Sequence, residues 1–281
     1  MNNKINKKTV AIVTLGCKVN KYESDGMLDI LQQGGYEIVD SMEVADVYII
    51  NTCSVTNMAE KKSRQMLHKM KRKNEKAVIV AVGCYVNAAK EELEKDIGID
   101  IVIGNNKKSE ILTILSEYIN ENPVIDNYVD INTENNYEEF HLSQINDHTR
   151  AYVKIQDGCN QFCSYCIIPY VRGRVRSRSM EDIYSEIEVL VSKGIKEVVL
   201  TGIHISSYGI DFSDKISLVD LIECISSIEQ LKRIRIGSLE PRIVTEEFVK
   251  IISGNPKVCP HFHLSLQSGC NETLLRMNRK Y

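Results

Sequence analysis

The sequence predicts an α/β protein in two parts: an N-terminal open parallel α/β sheet, then a second βα domain that forms a barrel or part of one. Two observations carry this. Short β-branched runs alternate with longer amphipathic stretches through residues 1–122, and the same alternation resumes at residue 151. Strands separated by helices return in the same direction, so they pair in parallel. A third observation concerns the strand ends: several of the apolar runs lead directly into cysteine.

The elements follow in order. Thr9–Leu15 reads as a buried strand and Lys21–Gln33 as a helix stopped by Gly34-Gly35. Strands at Glu37–Asp40 and Val47–Asn51 precede a helix over Met58–Lys73, and strands at Ala77–Val82 and Ile101–Ile103 precede a closing helix over Lys107–Asn120. Periodicity fades over 123–150, where Asn, Asp and Glu accumulate, so this segment reads as a linker. Within 151–281, Tyr152–Gln156, Glu197–Thr201, Arg233–Ser238 and Phe262–Gln267 are expected strands. Met180–Ser192, Leu218–Glu229 and Glu246–Ile252 are the helices between them. Successive βα units place binding residues at the C-terminal ends of strands.

With 43% hydrophobic and 26% charged residues the chain has the composition of a globular protein. A net charge of −3 gives no bulk attraction to nucleic acid, so any such surface must be local. No apolar run approaches the ~18 residues of a membrane span. Lys4, Lys7 and Lys8 ahead of Val10–Leu15 and Gly16-Cys17 imitate a lipoprotein signal. The apolar part is shorter than a signal core of about 7–15 residues, and its strand-then-cysteine pattern recurs downstream. A cytoplasmic protein with no membrane association is expected. Nine cysteines, an odd number, do not suggest a disulfide framework in a reducing compartment; metal binding, catalysis or plain burial remain.

Ala11–Gly16 runs into Cys17, Val47–Thr52 into Cys53, and Val78–Gly83 into Cys84. The C-terminal ends of parallel strands share one edge, so three thiols distant in sequence are expected to meet there. Cysteine is also a common small core residue, which is the alternative for each singly. A second triplet, Cys159-x3-Cys163-x2-Cys166, follows the first strand of the second domain. No fourth Cys or His lies at short spacing, whereas structural zinc closes four ligands. Electron-transfer clusters also generally use four thiolates, so three favour a [4Fe–4S] cube with one open iron.

The loop Gly158-Cys159-Asn160-Gln161-Phe162-Cys163-Ser164-Tyr165-Cys166 resembles the radical S-adenosylmethionine (SAM) signature. That resemblance implies that the open iron holds the amino and carboxylate groups of SAM and that Tyr165 lies against its adenine. Thr201-Gly202 takes the place of the glycine-rich segment that binds the SAM amino group. Ser238, Glu240 and Gln267, at later strand ends, are further SAM candidates, although each also suits a turn or a cap.

Two three-cysteine sets behind an α/β domain resemble the radical SAM methylthiotransferases. So do the segments Leu15–Asn20, Asn51–Asn57, Cys166–Gly173 and Leu266–Gly269. Cys17-Lys18-Val19-Asn20 and Cys53-Ser54-Val55-Thr56-Asn57 are most similar to the branch acting on threonylcarbamoyl-adenosine beside the tRNA anticodon. The branches for isopentenyl-adenosine and for a ribosomal-protein aspartate are the alternatives, as is a non-catalytic metal-bound RNA-binding fragment. The resemblance implies two [4Fe–4S] clusters, SAM, a tRNA substrate and an electron donor such as a flavodoxin or ferredoxin. One cluster cleaves SAM to a 5′-deoxyadenosyl radical that takes hydrogen from adenine C2, and sulfur carried by the other is inserted there. Family members also run on past Met277–Tyr281, so an open barrel without the C-terminal TRAM domain is expected.

Basic residues fit an RNA partner. Arg172, Arg174, Arg176 and Arg178 recur at period two, so an extended segment would present them on one face. Lys61, Lys62, Arg64, Lys69, Lys71, Arg72 and Lys73 crowd the helix after Cys53, where a solvated face is the alternative. Cys224 reads as core and Glu91, Glu92 and Glu94 as a solvated face; His261 and His263 suit packing or a backbone hydrogen bond rather than metal.

Overall fold

Val47–Thr52 is buried at every position, as a strand must be in the middle of a sheet covered on both faces. In the computed structural model it is β3 of a five-stranded parallel sheet ordered β2-β1-β3-β4-β5. The structure describes residues 7–121, 127–143 and 149–281. Lys4 and parts of the expected linker, 123–126 and 144–148, lie outside the described residues. The chain divides into two units, residues 1–134 and 135–281.

In the first unit β1 (Thr9–Thr14) pairs with β3 from Val10↔Val47 to Thr14↔Asn51, so the apolar run near the N-terminus is a core strand. On the other side β4 (Val78–Gly83) pairs with β3 from Val47↔Val78 to Thr52↔Gly83. The edges are β2 (Glu37–Ile38) and β5 (Ile101–Ile103). Leu67 and Met70 of α2 (Asn57–Lys73) pack with Tyr48, Ile50, Ile79 and Ala81. α1 (Lys18–Gln33) packs against α5 (Ile111–Ile119). The winding of this strand order reverses between β1 and β3, which places a ligand crevice at their carboxyl ends.

The boundaries differ from expectation for local reasons. α1 begins three residues early, at Lys18, because Cys17 is its N-cap. The short helix α3 (Cys84–Ala88) is unexpected, since five residues are too few to show a helical period, whereas α4 (Lys90–Glu94) carries the helix face expected of Glu91, Glu92 and Glu94. Lys108 and Glu23 form an ion pair of 2.6 Å with both side chains fully buried, and the Lys108 ammonium also donates to Asn105 Oδ1 at 2.9 Å. This pair ties the turn after β5 to α1.

In the second unit β6 (Arg150–Asp157), β8 (Glu197–Gly202) and β9 (Arg233–Ile236) are parallel, in a sheet ordered β7-β6-β8-β9. After α6 (Ile168–Val171), the unexpected β7 (Arg176–Ser177) runs antiparallel to the end of β6. α7 (Met180–Ser192) is capped by Ser179, and α8 (Leu218–Ser226) by a Ser217–Asp220 capping box. The strand expected at Arg233–Ser238 breaks at Gly237. Its continuation, β10 (Ser238–Leu239), leaves the main sheet, precedes α9 (Glu246–Gly254) and pairs with β11 (His263–Leu264). The strand expected over Phe262–Gln267 shrinks to those two residues, followed by α10 (Asn271–Arg276). Gln267 takes a φ of 62°, which ends extended structure there.

Lys108→Met takes a fully buried cation away from the Glu23 carboxylate and is expected to cost about 3–5 kcal/mol in the urea unfolding of the first unit. Adding Glu23→Leu is expected to restore most of that loss; additive losses would show that the pair is not what holds the turn.

Candidate metal centres and cofactor site

The first triplet is built by register. Asn51 and Thr52 pair with Thr14 and Gly83, so the residues that follow these strands leave the sheet side by side. A Cβ on Gly16 would stand 3.0 Å from Cys53 Sγ, which puts the Cys17 turn against Cys53. Asn20, buried in α1, donates through Nδ2 to Leu15 O at 2.8 Å and to Thr52 O at 2.9 Å, and Asn51 Nδ2 donates to Asn20 O at 2.9 Å. These amides lock the ends of β1 and β3 together. Cys53 N donates to buried Ser63 Oγ at 3.1 Å, fixing Cys53 against α2. Gly83, with φ 97° and ψ −166°, occupies a region essentially closed to other residues. A Cβ there would lie 2.6 Å from both Asn51 Oδ1 and Thr52 O. Cys53 and Cys84 are buried and Cys17 is exposed. Among the described residues the buried hydroxyl of Ser54, next to Cys53, has no hydrogen-bond partner.

The second triplet hangs from the end of β6. Asp157, 4% exposed, receives the Lys154 ammonium at 2.6 Å and the Arg172 guanidinium at 2.9 Å, and its Oδ1 accepts from Gly158 N at 2.8 Å. Gly158 has φ +70°, and a Cβ there would stand 1.7 Å from Arg174 O. Cys159 N donates to Gly173 O at 3.0 Å, and Cys166 N to Cys163 O at 2.9 Å. Burial pushes the Cys159 thiol up to about 11, against a hydrogen bond from Gln161 N, and nearby Cys166 and Cys163 add to the rise. Cys166 is also raised, by burial and by Cys163. Holding a metal would require these thiols to release protons.

Across from the loop, Gln156 is fully buried. Its Nε2 donates to Asp157 O at 2.6 Å and Gly158 O at 2.7 Å, and its Oε1 accepts from His204 N at 2.7 Å. Thr201 and Gly202 end β8 beside this amide; a Cβ on Gly202 would lie 3.1 Å from Gln156 Oε1. Glu240, at the end of β10, is 4% exposed and stands 3.2 Å from His204 Nε2 and 2.9 Å from Arg242. Burial alone would raise its carboxyl, but His204 and Arg242 hold it down to about 2, so it is an anion at neutral pH. Tyr165 is 53% exposed, and Ser238 and Gln267 are exposed. Thr201, Gly202 and Glu240 thus share the Cys159 end of the unit, whereas Gln267 stands on the turn after β11.

The arginine row does not form a solvent face. Arg172, Arg176 and Arg178 are 0–2% exposed, and only Arg174 is exposed. The period of two fails because the chain turns at Gly173 and is only briefly extended in β7. Arg172 neutralises Asp157, Arg176 donates to Arg172 O at 3.0 Å, and Arg178 pairs with Glu186. On α2, Lys61, Lys62, Lys69 and Arg72 are exposed. The other cations are tied to protein: Arg64 to Tyr85 at 2.6 Å, Lys71 to Asp100 at 3.0 Å and Lys73 to Ser41 O at 2.8 Å. Glu91, Glu92 and Glu94 are exposed, as a solvated face requires; Cys224 is only partly buried, and His261 and His263 are exposed.

Sequence reasoning missed Gln156, Asp157, His204 and Arg279. The first two stand in the segment leading into the cysteines and were visible there as polar residues ending a buried strand. Arg279 reaches Cys163 from 116 residues away and carries no local signal.

Residues 9–104 match the model of an uncharacterized protein family, UPF0004, and residues 153–281 that of the radical SAM superfamily. The chain is 42% identical over 273 residues to the threonylcarbamoyladenosine tRNA methylthiotransferase MtaB of Bacillus subtilis, covering 97% of this chain and 60% of that protein. It is also 42% identical to MtaB of Aquifex aeolicus, with 97% and 66% covered. A tRNA-2-methylthio-N(6)-dimethylallyladenosine synthase of Dictyoglomus thermophilum is 39% identical, with 96% and 62% covered. The chain is similar along nearly its whole length to radical SAM methylthiotransferases. It spans less than two thirds of the length of these curated relatives. Among solved structures, the radical SAM methyltransferase TsrM of Kitasatospora setae, with cobalamin and a [4Fe-4S] cluster bound, superposes with a TM-score of 0.67 at 14% identity. That match covers 98% of this chain and 65% of TsrM, and shows a shared fold.

The radical SAM match implies SAM and a [4Fe–4S] cluster for the second unit, and the donor set fits. Three neighbouring thiols share one strand-end loop. Among the described residues no three His, Cys, Asp or Glu groups are placed to hold a single ion.

Arg172→Ala leaves Asp157 with one cation fewer in a buried site and is expected to cost about 3–5 kcal/mol of stability. Arg174→Ala is expected to stay within about 0.5 kcal/mol of the parent. Equal, negligible effects in thermal unfolding would return Arg172 to the surface.

Proposed function

We propose that this chain carries the catalytic core of a tRNA methylthiotransferase acting at adenine C2 of N6-threonylcarbamoyladenosine beside the anticodon. The observation that carries the reading is the Cys159-Cys163-Cys166 loop: three clustered thiols at the same strand ends as Thr201, Gly202 and Glu240. With a [4Fe–4S] cluster bound, the loop supplies an open iron for the reductive cleavage of SAM. Around it, the Asp157–Arg172 pair fixes the turn, Gln156 joins the loop to the His204 segment, and Tyr165 offers an exposed ring for the adenine. Thr201, Gly202, Ser238, Glu240 and Gln267 are the further SAM contacts of this reading. Cys17, Cys53 and Cys84 hold a second [4Fe–4S] cluster, which carries the sulfur to be inserted.

The substrate assignment draws on the relatives named for threonylcarbamoyladenosine. For RNA contact, Arg174 replaces the full arginine row. Its guanidinium lies 4.4 Å from the centroid of Phe162, whose ring meets exposed Tyr170 edge-on at 5.7 Å. A cation flanked by aromatic rings suits a nucleic-acid strand. The proposal includes a flavodoxin- or ferredoxin-type electron donor and a cytoplasmic setting. No helix among the described residues is long and apolar enough to cross a membrane.

Mass spectrometry of nucleosides from tRNA of cells with and without the gene tests the reading. Deletion is expected to abolish the methylthiolated threonylcarbamoyl nucleoside and leave its unthiolated precursor, and the gene carrying Cys159→Ala is expected not to restore it. Loss of the methylthio-isopentenyl nucleoside instead would move the substrate to that of the Dictyoglomus relative. An unchanged nucleoside profile would contradict a role in tRNA.

A further inference from the structure

We infer that Arg279 is a positioning residue that sets the reduction potential of the cluster on the Cys159 loop, by donating a hydrogen bond to the Cys163 sulfur. The inference rests on the reading that this loop holds a cluster. Arg279 Nη1 lies 3.2 Å from Cys163 Sγ, and its side chain is 9% exposed. The guanidinium is held from several sides. Its Nη2 donates to the Tyr281 hydroxyl at 3.2 Å, and it lies 4.9 Å from the centroid of that ring. The Tyr281 hydroxyl is itself anchored 2.8 Å from both Ser265 O and Leu266 O.

The surrounding segment clasps the loop. Ser164 N donates to Met277 O at 3.1 Å, Ser164 Oγ to Arg276 O at 3.0 Å, and Asn278 Nδ2 to Phe162 O at 2.8 Å. Residues 276–279 are therefore bonded to residues 162–164 on both sides of Cys163. The buried carboxylate of Glu240 faces Arg279 at the long distance of 3.9 Å, while Arg242 and His204 stand nearer to that carboxylate. What the guanidinium reaches is the sulfur.

Reduction adds one electron to the cluster and makes its thiolates more basic. A permanent cation donating N–H to one of them stabilises the reduced form more than the oxidised form. Burial makes the contact stronger than it would be in water. Removing it lowers the potential and makes the cluster harder to reduce.

The test uses the full chain with Cys17, Cys53 and Cys84 replaced by alanine, so that only the Cys159 loop can carry iron. After anaerobic reconstitution, a potentiometric titration followed by EPR gives the midpoint. With Arg279→Gln the reduced-to-oxidised ratio at a fixed potential is expected to fall roughly tenfold, equivalent to about 59 mV for one electron. With Arg279→Lys, which keeps the charge but loses the fork, it is expected to fall by less. Full iron loading with an unshifted Arg279→Gln midpoint overturns the inference. If Arg279→Gln takes up no iron, Arg279→Lys decides, and a parent-like midpoint there overturns it. A parent protein that takes up zinc or no iron instead overturns the cluster reading of the loop.

Discussion

The second unit depends on one buried charge. Asp157 ends β6 with almost no exposure and would be untenable there alone. Lys154 reaches it from the same strand, Arg172 from beyond the cysteine loop, and Gly158 N from the turn itself. Because Arg172 lies after Cys166 and Asp157 before Cys159, the pair closes the loop at its base. The base of the loop is thus held by charge, while Tyr165 and Tyr170 stay exposed. The close approach of Arg174 O to Gly158 belongs to the same closure.

The first unit meets the same demand with uncharged groups. Asn20 donates to the strand-end carbonyls of Leu15 and Thr52, and Asn51 donates back to the Asn20 carbonyl in α1, so that the turns leaving β1 and β3 are held at fixed separation by amides. The ion pair of this unit, Lys108 with Glu23, sits behind them, between α1 and the turn after β5. An amide network suits three cysteines that follow three strands, and a charge pair suits three that lie on a single loop.

Much of this was legible in the residues. The five strands of the first sheet read correctly because buried parallel strands are continuous β-branched runs bounded by breakers, and their shared direction puts the strand ends that lead into Cys17, Cys53 and Cys84 along one edge. Met180–Ser192 has the ends expected of it, since Ser179 and its acidic first turn mark the start. The strand at Arg233–Ser238 did not survive intact because Gly237 lets the chain leave one sheet for another, a tertiary choice that period two cannot show. The arginine row misled for a related reason. Period two implies one face only in an extended chain, and Gly173 turns the chain between the first two arginines. Contacts such as Arg279 with Cys163 join residues without a shared period or motif, so only the folded chain exposes them.

The central claim is that two separate sets of three thiols each hold a four-iron cluster. Iron and sulfide analysis after anaerobic reconstitution addresses it most directly. The account predicts about eight irons per chain, falling to about four when Cys159, Cys163 and Cys166 are replaced by alanine, and to about four when Cys17, Cys53 and Cys84 are replaced instead. Stoichiometric zinc, or about four irons both before and after removal of Cys17, Cys53 and Cys84, would contradict it.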